Sequence, residues 1–168
     1  MRLHHPLDLI MFHHSLEHFL DHPALLKHIE RMLAPQGVIL VRQPVSNGLA
    51  FHRYGRYWFQ LDAPRHAVIH SVKSMEWLLR ECGMRIKKII WDSNEQQFWA
   101  SEPYGRDIPL FAEHSYFCNP QGSLFSADQI KQWKKEAADL NRIGQGDQAA
   151  FYIGKDSLGF SPGPCESV

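Results

Sequence analysis

Near its amino end the chain reads Leu7-Asp8-Leu9-Ile10-Met11-Phe12-His13-His14-Ser15-Leu16-Glu17-His18, an apolar run that stops abruptly in titratable and hydroxyl side chains. A continuous run of this kind suits a strand buried on both faces inside a parallel sheet. In open α/β sheets the carboxyl ends of strands face the ligand crevice, which puts His14, Ser15, Glu17 and His18 where chemistry is expected. Asp21 then caps a helix opened by Pro23, whose missing amide hydrogen costs nothing there. Leu25, Leu26, Ile29, Met32 and Leu33 recur at helical spacing, and Pro35 with Gly37 stops the helix. Val38 to Val41 is a second apolar run, ended by Pro44, so strand, helix and strand follow one another as in a parallel crossover.

Farther on, Ser71 caps a helix whose buried stripe is Met75, Leu78, Leu79 and Cys82, with Gly83 at the left-handed terminus. Met84 to Trp91 mixes apolar residues with Arg85 and Lys87 and reads as a strand near the sheet edge. Asn94 to Leu124 lacks periodicity, and residues 94–125 are expected to form an irregular insertion with a short strand at Phe98-Trp99-Ala100-Ser101. Ser126 and Gln129 carry a capping-box signature for a helix through Ile130, Trp133, Ala137 and Leu140 to about Arg142. Gln148 to Lys155 is the last strand, and Trp91, Trp99 and Trp133 are read as packing residues. Residues 157–168 hold Gly159, Pro162, Gly163 and Pro164 without apolar periodicity and are expected to be a disordered tail behind one domain over residues 1–156.

Composition narrows the function classes. A chain of 168 residues, 44% hydrophobic and 21% charged, is long enough for one globular core. Lys and Arg number 18 against 18 Asp and Glu, so no net field draws nucleic acid or an anionic membrane. The three cysteines, Cys82, Cys118 and Cys165, include no Cys-x-x-Cys pair, so neither a disulfide framework nor a thiolate metal site is expected. No apolar run has the length of a membrane span, and a soluble cytoplasmic protein is the expectation.

Between Ser46 and Ile69 lies a dense aromatic and basic group: Phe51, His52, Arg53, Tyr54, Arg56, Tyr57, Trp58, Phe59, Arg65 and His66. Residues 46–70 form either a partly helical excursion over the open end of the sheet or a substrate lid. Aromatics interleaved with arginine suit a planar or anionic ligand, which makes Tyr57 and Arg65 substrate-binding candidates. Arg65 has a plainer role available as ion-pair partner of Asp62 or Glu17. His66 is a titratable ring able to hold an acidic substrate or take a proton. His13, His14 and His18 cluster in sequence, and His14 and His18 share a face if their turn is helical, but spacing indicates no third ligand and no metal site is expected. Gly144-Gln145-Gly146-Asp147-Gln148-Ala149 matches a dinucleotide fingerprint literally. It follows a helix and enters a strand, the reverse of the order in which that motif works, and is rejected.

In order and spacing, Asp8-Leu9-Ile10 with its apolar run, Ser15-Leu16-Glu17-His18, the helix near Pro23, Leu33-Ala34-Pro35-Gln36-Gly37 and Val38-Ile39-Leu40-Val41-Arg42-Gln43-Pro44 resemble the second half of a class I S-adenosylmethionine-dependent methyltransferase, from its fourth strand onward. Leu61-Asp62-Ala63-Pro64-Arg65-His66 and Leu78-Leu79-Arg80-Glu81-Cys82-Gly83-Met84 resemble further pieces of one branch of that family, and the likeness runs from about Leu7 to Lys155. The resemblance implies an α/β fold with a partial doubly wound, Rossmann-like sheet, mostly parallel, its last strand antiparallel and paired with Met84 to Trp91, with helices on the faces. It implies S-adenosylmethionine as cofactor, bordered by His14, Ser15 and Glu17, with His18 and His66 as catalytic positions. Glu17 has the alternative of capping the helix that follows.

The family's Gly-rich loop and the acidic residue after its second strand would lie before Leu7, where this sequence has only Met1 to Pro6. The chain alone is therefore expected to bind the cofactor weakly or not at all, and to be weak or inactive in isolation. A separately encoded amino-terminal half, or a second copy pairing along the edge strand at residues 7–13, is the expected partner. The other readings are a non-catalytic binding or assembly module derived from the fold, and a histidine-dependent metal enzyme.

Overall fold

In the computed structural model, which describes residues 5–156, the opening apolar run is a strand, β1 (Leu7–His13). It is followed by α1 (His22–Met32), β2 (Leu33–Pro44), α2 (Leu49–Tyr54), α3 (Val72–Glu81), β3 (Met84–Trp91), α4 (Gln96–Trp99), α5 (Ala127–Arg142) and β4 (Gln148–Lys155). The sheet order is β1-β2-β4-β3. β1 pairs parallel with β2, while β4 lies antiparallel between β2 and β3. β1, β2 and β3 therefore run the same way and only the last strand is reversed, the α/β arrangement expected of these residues.

Local chemistry sets the helix ends. Asp21 accepts the Ala24 amide at the start of α1. Ser71 and Ser74 form a reciprocal box at α3, each side chain meeting the other residue's backbone amide. At α5 Ser126 accepts the Gln129 amide, half of that arrangement. Gly83 leaves α3 at φ 70°, as a left-handed terminus requires.

The main core lies between the sheet and the apolar faces of α1 and α3, with Leu26, Ile29, Leu33, Met75, Leu79 and Phe151 almost fully buried. A second cluster joins α4 and α5 through Phe98, Trp99 and Trp133, and Phe59 packs against it. All three tryptophans expected to pack do so, Trp91 against the main core.

Three sequence expectations change. β1 is not buried on both faces: it is a sheet edge among the described residues, with Leu9 54% and Met11 57% exposed while Ile10 and Phe12 face the core. Pro35 and Gly37 do not separate α1 from the next strand. β2 begins at Leu33, and its pairing steps from Leu7↔Leu33 to Leu9↔Val38, so five residues of β2 run against two of β1. Phe98 to Ser101 is no strand. α4 satisfies its own backbone, with the Phe98 amide on Glu95 O and the Ala100 amide on Gln96 O, while Phe98 stacks on Trp133. Four residues are too few for periodicity to separate a helical turn from a strand. The tail at residues 157–168 lies outside the described residues.

Candidate active site

At the carboxyl end of β1 the chain turns sharply. His14 takes a left-handed backbone, φ 47°, with its amide still bonded to Arg42 O of β2 at 2.9 Å. A single helical turn, Leu16–His18, follows, and Leu16 plugs fully into the core. That anchor drives Glu17 inward until it too is 0% exposed. The segment after Leu61 then lies across this turn. The Ala67 amide donates to Glu17 O at 2.8 Å, and His18 Nδ1 donates to Arg65 O at 2.9 Å. The peptide Ala63–Pro64, just before these contacts, is cis. His66 Nδ1 donates to Gln60 O at 2.7 Å.

The consequence is a cluster that sequence separation hides. Glu17 Oε1 lies 3.4 Å from His14 Nδ1 and 4.0 Å from His66 Nε2, and the His18 and His66 rings are 4.9 Å apart. Neither Glu17 oxygen has a hydrogen-bond partner. Burial pushes the carboxyl's pKa up, but His14, the local backbone and His66 outweigh it and hold the group below its ordinary value. Glu17 is thus an ionised, buried carboxylate with unused lone pairs. His66 Nε2 also faces Asp62 at 3.9 Å.

Behind His14 stands Arg42, whose guanidinium donates to His14 Nε2 at 2.6 Å and is itself paired with Asp92. With Nε2 accepting, a neutral His14 carries its proton on Nδ1, toward Glu17. Gln148 Nε2 donates to Asp92 Oδ1 at 3.2 Å, so the line from Glu17 reaches β4. A second tie runs through Asp147, 2% exposed, which accepts Trp58 Nε1 at 3.1 Å and Gln60 Nε2 at 2.9 Å. Because Gln60 O also holds His66, this buried carboxylate positions the loop that carries the ring. Burial raises the Asp147 pKa against the lowering effect of its donors.

Of the residues singled out in sequence, His14, Glu17, His18 and His66 come together. Ser15 precedes the helical turn and offers it no side-chain cap; its carbonyl receives the His18 amide. Arg65 makes the ion pair with Asp62, at 2.6 Å, and its side chain is 73% exposed. Tyr57 is engaged by its neighbour, with Arg56 donating to its hydroxyl at 2.6 Å and lying over its ring. Asp62 was foreseen only as a partner of Arg65, not as a neighbour of His66, and Arg42, Asp92 and Asp147 were not foreseen. The position of Arg42 opposite His13 in the β1–β2 register was the one available signal, and it needs the pairing to be known.

Comparison with known proteins places this arrangement in context. The sequence model of a family described as a methyltransferase domain matches residues 2–89, just over half of the chain. No curated protein matches. Among solved structures, a chain of the Haloferax volcanii complex between the Trm112 methyltransferase activator and a methyltransferase is 14% identical, with a TM-score of 0.51 covering 92% of this chain and 57% of its own. A SAM-dependent methyltransferase from Archaeoglobus fulgidus is 21% identical, with a TM-score of 0.46 covering 90% and 60%. A sarcosine dimethylglycine methyltransferase structure from Galdieria sulphuraria is 18% identical, with a TM-score of 0.47 covering 88% and 52%. At these identities the likeness to the Haloferax structure concerns the fold. The chain spans less than two thirds of each of these structures.

Proposed function

The chain belongs to the methyltransferase domain family, and from that membership we propose that it forms the carboxyl-terminal part of a class I S-adenosylmethionine-dependent methyltransferase, with the turn after β1 as one wall of the reaction site. The observation that carries this reading is Glu17, a fully buried carboxylate with neither oxygen hydrogen-bonded, at the strand end where an α/β sheet opens to its ligand. A negative group held there suits the cationic, methyl-bearing end of the cofactor, with His14 and Ser15 on the same turn. When bound, the cofactor supplies an electrophilic methyl group.

The chain's own residues would orient the acceptor and manage its proton. His66 keeps its hydrogen on Nδ1, bonded to Gln60 O, so Nε2 is left as a base facing the Glu17 carboxylate. His18 is oriented the same way through Arg65 O. Tyr57 and Arg65 are assigned to the acceptor side, Arg65 presenting an exposed guanidinium steadied by Asp62. The excursion that carries these residues is anchored on Asp147, so the loop is held ready for an acceptor without contacts from one.

Among the described residues no glycine-rich turn leaves a strand and opens a helix, and β1 ends the sheet with an exposed apolar edge. The proposal therefore assigns the cofactor's adenosine end to structure outside these residues. The test is a calorimetric titration of the 168-residue chain with S-adenosylmethionine, repeated after co-expression with the polypeptide encoded immediately upstream. Little or no heat from the chain alone, and stoichiometric binding by the pair, is expected. Glu17→Gln should weaken that binding about tenfold, the scale of one charge contact at a partly dry site. Tight binding by the chain alone would refute the division of the site. No binding by the pair would leave a non-catalytic assembly module as the better description.

A further inference from the structure

The cluster at Glu17 carries a second consequence that does not rest on the methyl donor: a metal held there would take over the counter-charge role of Glu17 and the lone pair of His66 Nε2. Glu17, His18 and His66 each present a ligand atom, and these atoms all lie within 4.8 Å of one another. Ligands at about 2.0–2.1 Å from one zinc-class ion are separated by at most about 4.2 Å. The 4.0 Å between Glu17 Oε1 and His66 Nε2 already meets that limit. His18 is the exposed member, its ring held at Nδ1 by Arg65 O and 4.9 Å from the His66 ring.

Three features separate this trio from a chance meeting of polar side chains. The carboxylate is 0% exposed, Oε1 has only the loose 3.4 Å contact with His14 Nδ1 and Oε2 has no hydrogen bond, an arrangement that leaves acceptor capacity a cation can use. Both rings give Nδ1 to a backbone carbonyl, Gln60 O for His66 and Arg65 O for His18, which fixes the tautomer that leaves Nε2 as a lone-pair donor. Carbonyl partners of this kind are how metal-ligating histidines are oriented. His14, its ring held by Arg42, meets the same oxygen, Oε1, that His66 faces, which steadies the carboxylate. Asp62, 3.9 Å from His66 Nε2, is a further oxygen at the rim.

We propose that Glu17, His18 and His66 form a binding site for a divalent transition-metal ion of the zinc class. Two imidazoles and one carboxylate are a donor set such ions accept, and three protein ligands with an exposed side leave coordination positions open to an oxygen ligand from solvent. The site follows from the loop crossing at residues 62–68, which brings His66 to Glu17 and His18; the pair weighed from sequence spacing was His14 and His18, and His14 is not among these ligands.

The experiment equilibrates the purified chain with Zn²⁺, removes free metal by gel filtration and measures zinc per chain by elemental analysis. Co²⁺ absorption serves as an independent reporter of the ligand set. One ion per chain is expected, with a rise in Tm when zinc is added. His66→Asn and Glu17→Gln should each lower affinity by tenfold or more. Because Glu17 is buried, His18→Gln is the decisive variant: its ring is on the surface, so the fold should persist by circular dichroism while the Co²⁺ spectrum and the zinc are lost. His28→Gln, on the exposed face of α1, should change neither. No stoichiometric binding overturns the proposal. So does parental binding by His18→Gln or His66→Asn, or an equal loss in His28→Gln, which would mean scattered histidines.

Discussion

His22 and His70 show how tertiary structure retunes single residues. His22 Nδ1 and His70 Nε2 are 2.8 Å apart, and His70 Nδ1 meets Ser74 Oγ at 3.0 Å. Burial, reinforced by His22, pushes His70 down to about 4, and burial also lowers His22. Both are therefore neutral in the fold at pH 7. The unfolded histidine titrates near 6.5, so between about pH 6.5 and 4 the unfolded chain binds more protons than the folded one. The stability from this pair is complete above about pH 6.5 and is lost as pH falls toward 4. Allowing for screening at a partly open site, the loss is on the order of 2 kcal/mol. Urea unfolding at pH 7, 6, 5 and 4 should show the fall, and His70→Gln should flatten it. Nothing in the sequence distinguished these two rings from the other nine histidines. Capping residues were legible because their partners lie three positions away, as at Asp21 and Ser71.

At the scale of elements, α2 shows how closely the excursion is seated. Gly48 caps α2, and a Cβ there would stand 2.3 Å from Gly146 O in the turn entering β4. The Leu49 amide donates to Gln145 O in the same turn at 3.0 Å. A backbone atom cannot swing away, so Gly48→Ala should cost about 1–3 kcal/mol by forcing the two segments apart. Thermal unfolding should register this as a lower Tm, whereas Gly105→Ala, where a Cβ meets nothing within 4 Å, should leave Tm nearly unchanged. The long periodic helices were readable from sequence because α1, α3 and α5 each bury one stripe. The short α4 was not, since its helical state depends on Phe98 stacking on Trp133 more than thirty residues away.

For the molecule as a whole, β1 is the surface that sets association. Leu9 and Met11 stand side by side on an exposed strand at the sheet edge, a surface that proteins seldom leave in water. We propose that in the isolated chain two copies pair along this edge. Light scattering should give a dimer mass for the parent and a monomer for Leu9→Lys/Met11→Lys; a monodisperse parent monomer would refute the pairing. No helix among the described residues is long and apolar enough to cross a membrane. The reversed last strand beside β3 was implied by the family resemblance; by itself the sequence determined the succession of β1, α1 and β2, the long helices α3 and α5, the helix caps and the placement of Glu17 and His18 at a strand end. Those features rest on near neighbours in the chain or on apolar patterns that read the same in any context. Tertiary structure alone decided which strand lies at the edge, that Arg42 braces His14, and that His66 meets Glu17. These meetings join residues about thirty to fifty positions apart, and only the closing of loops over a shared core brings such residues together.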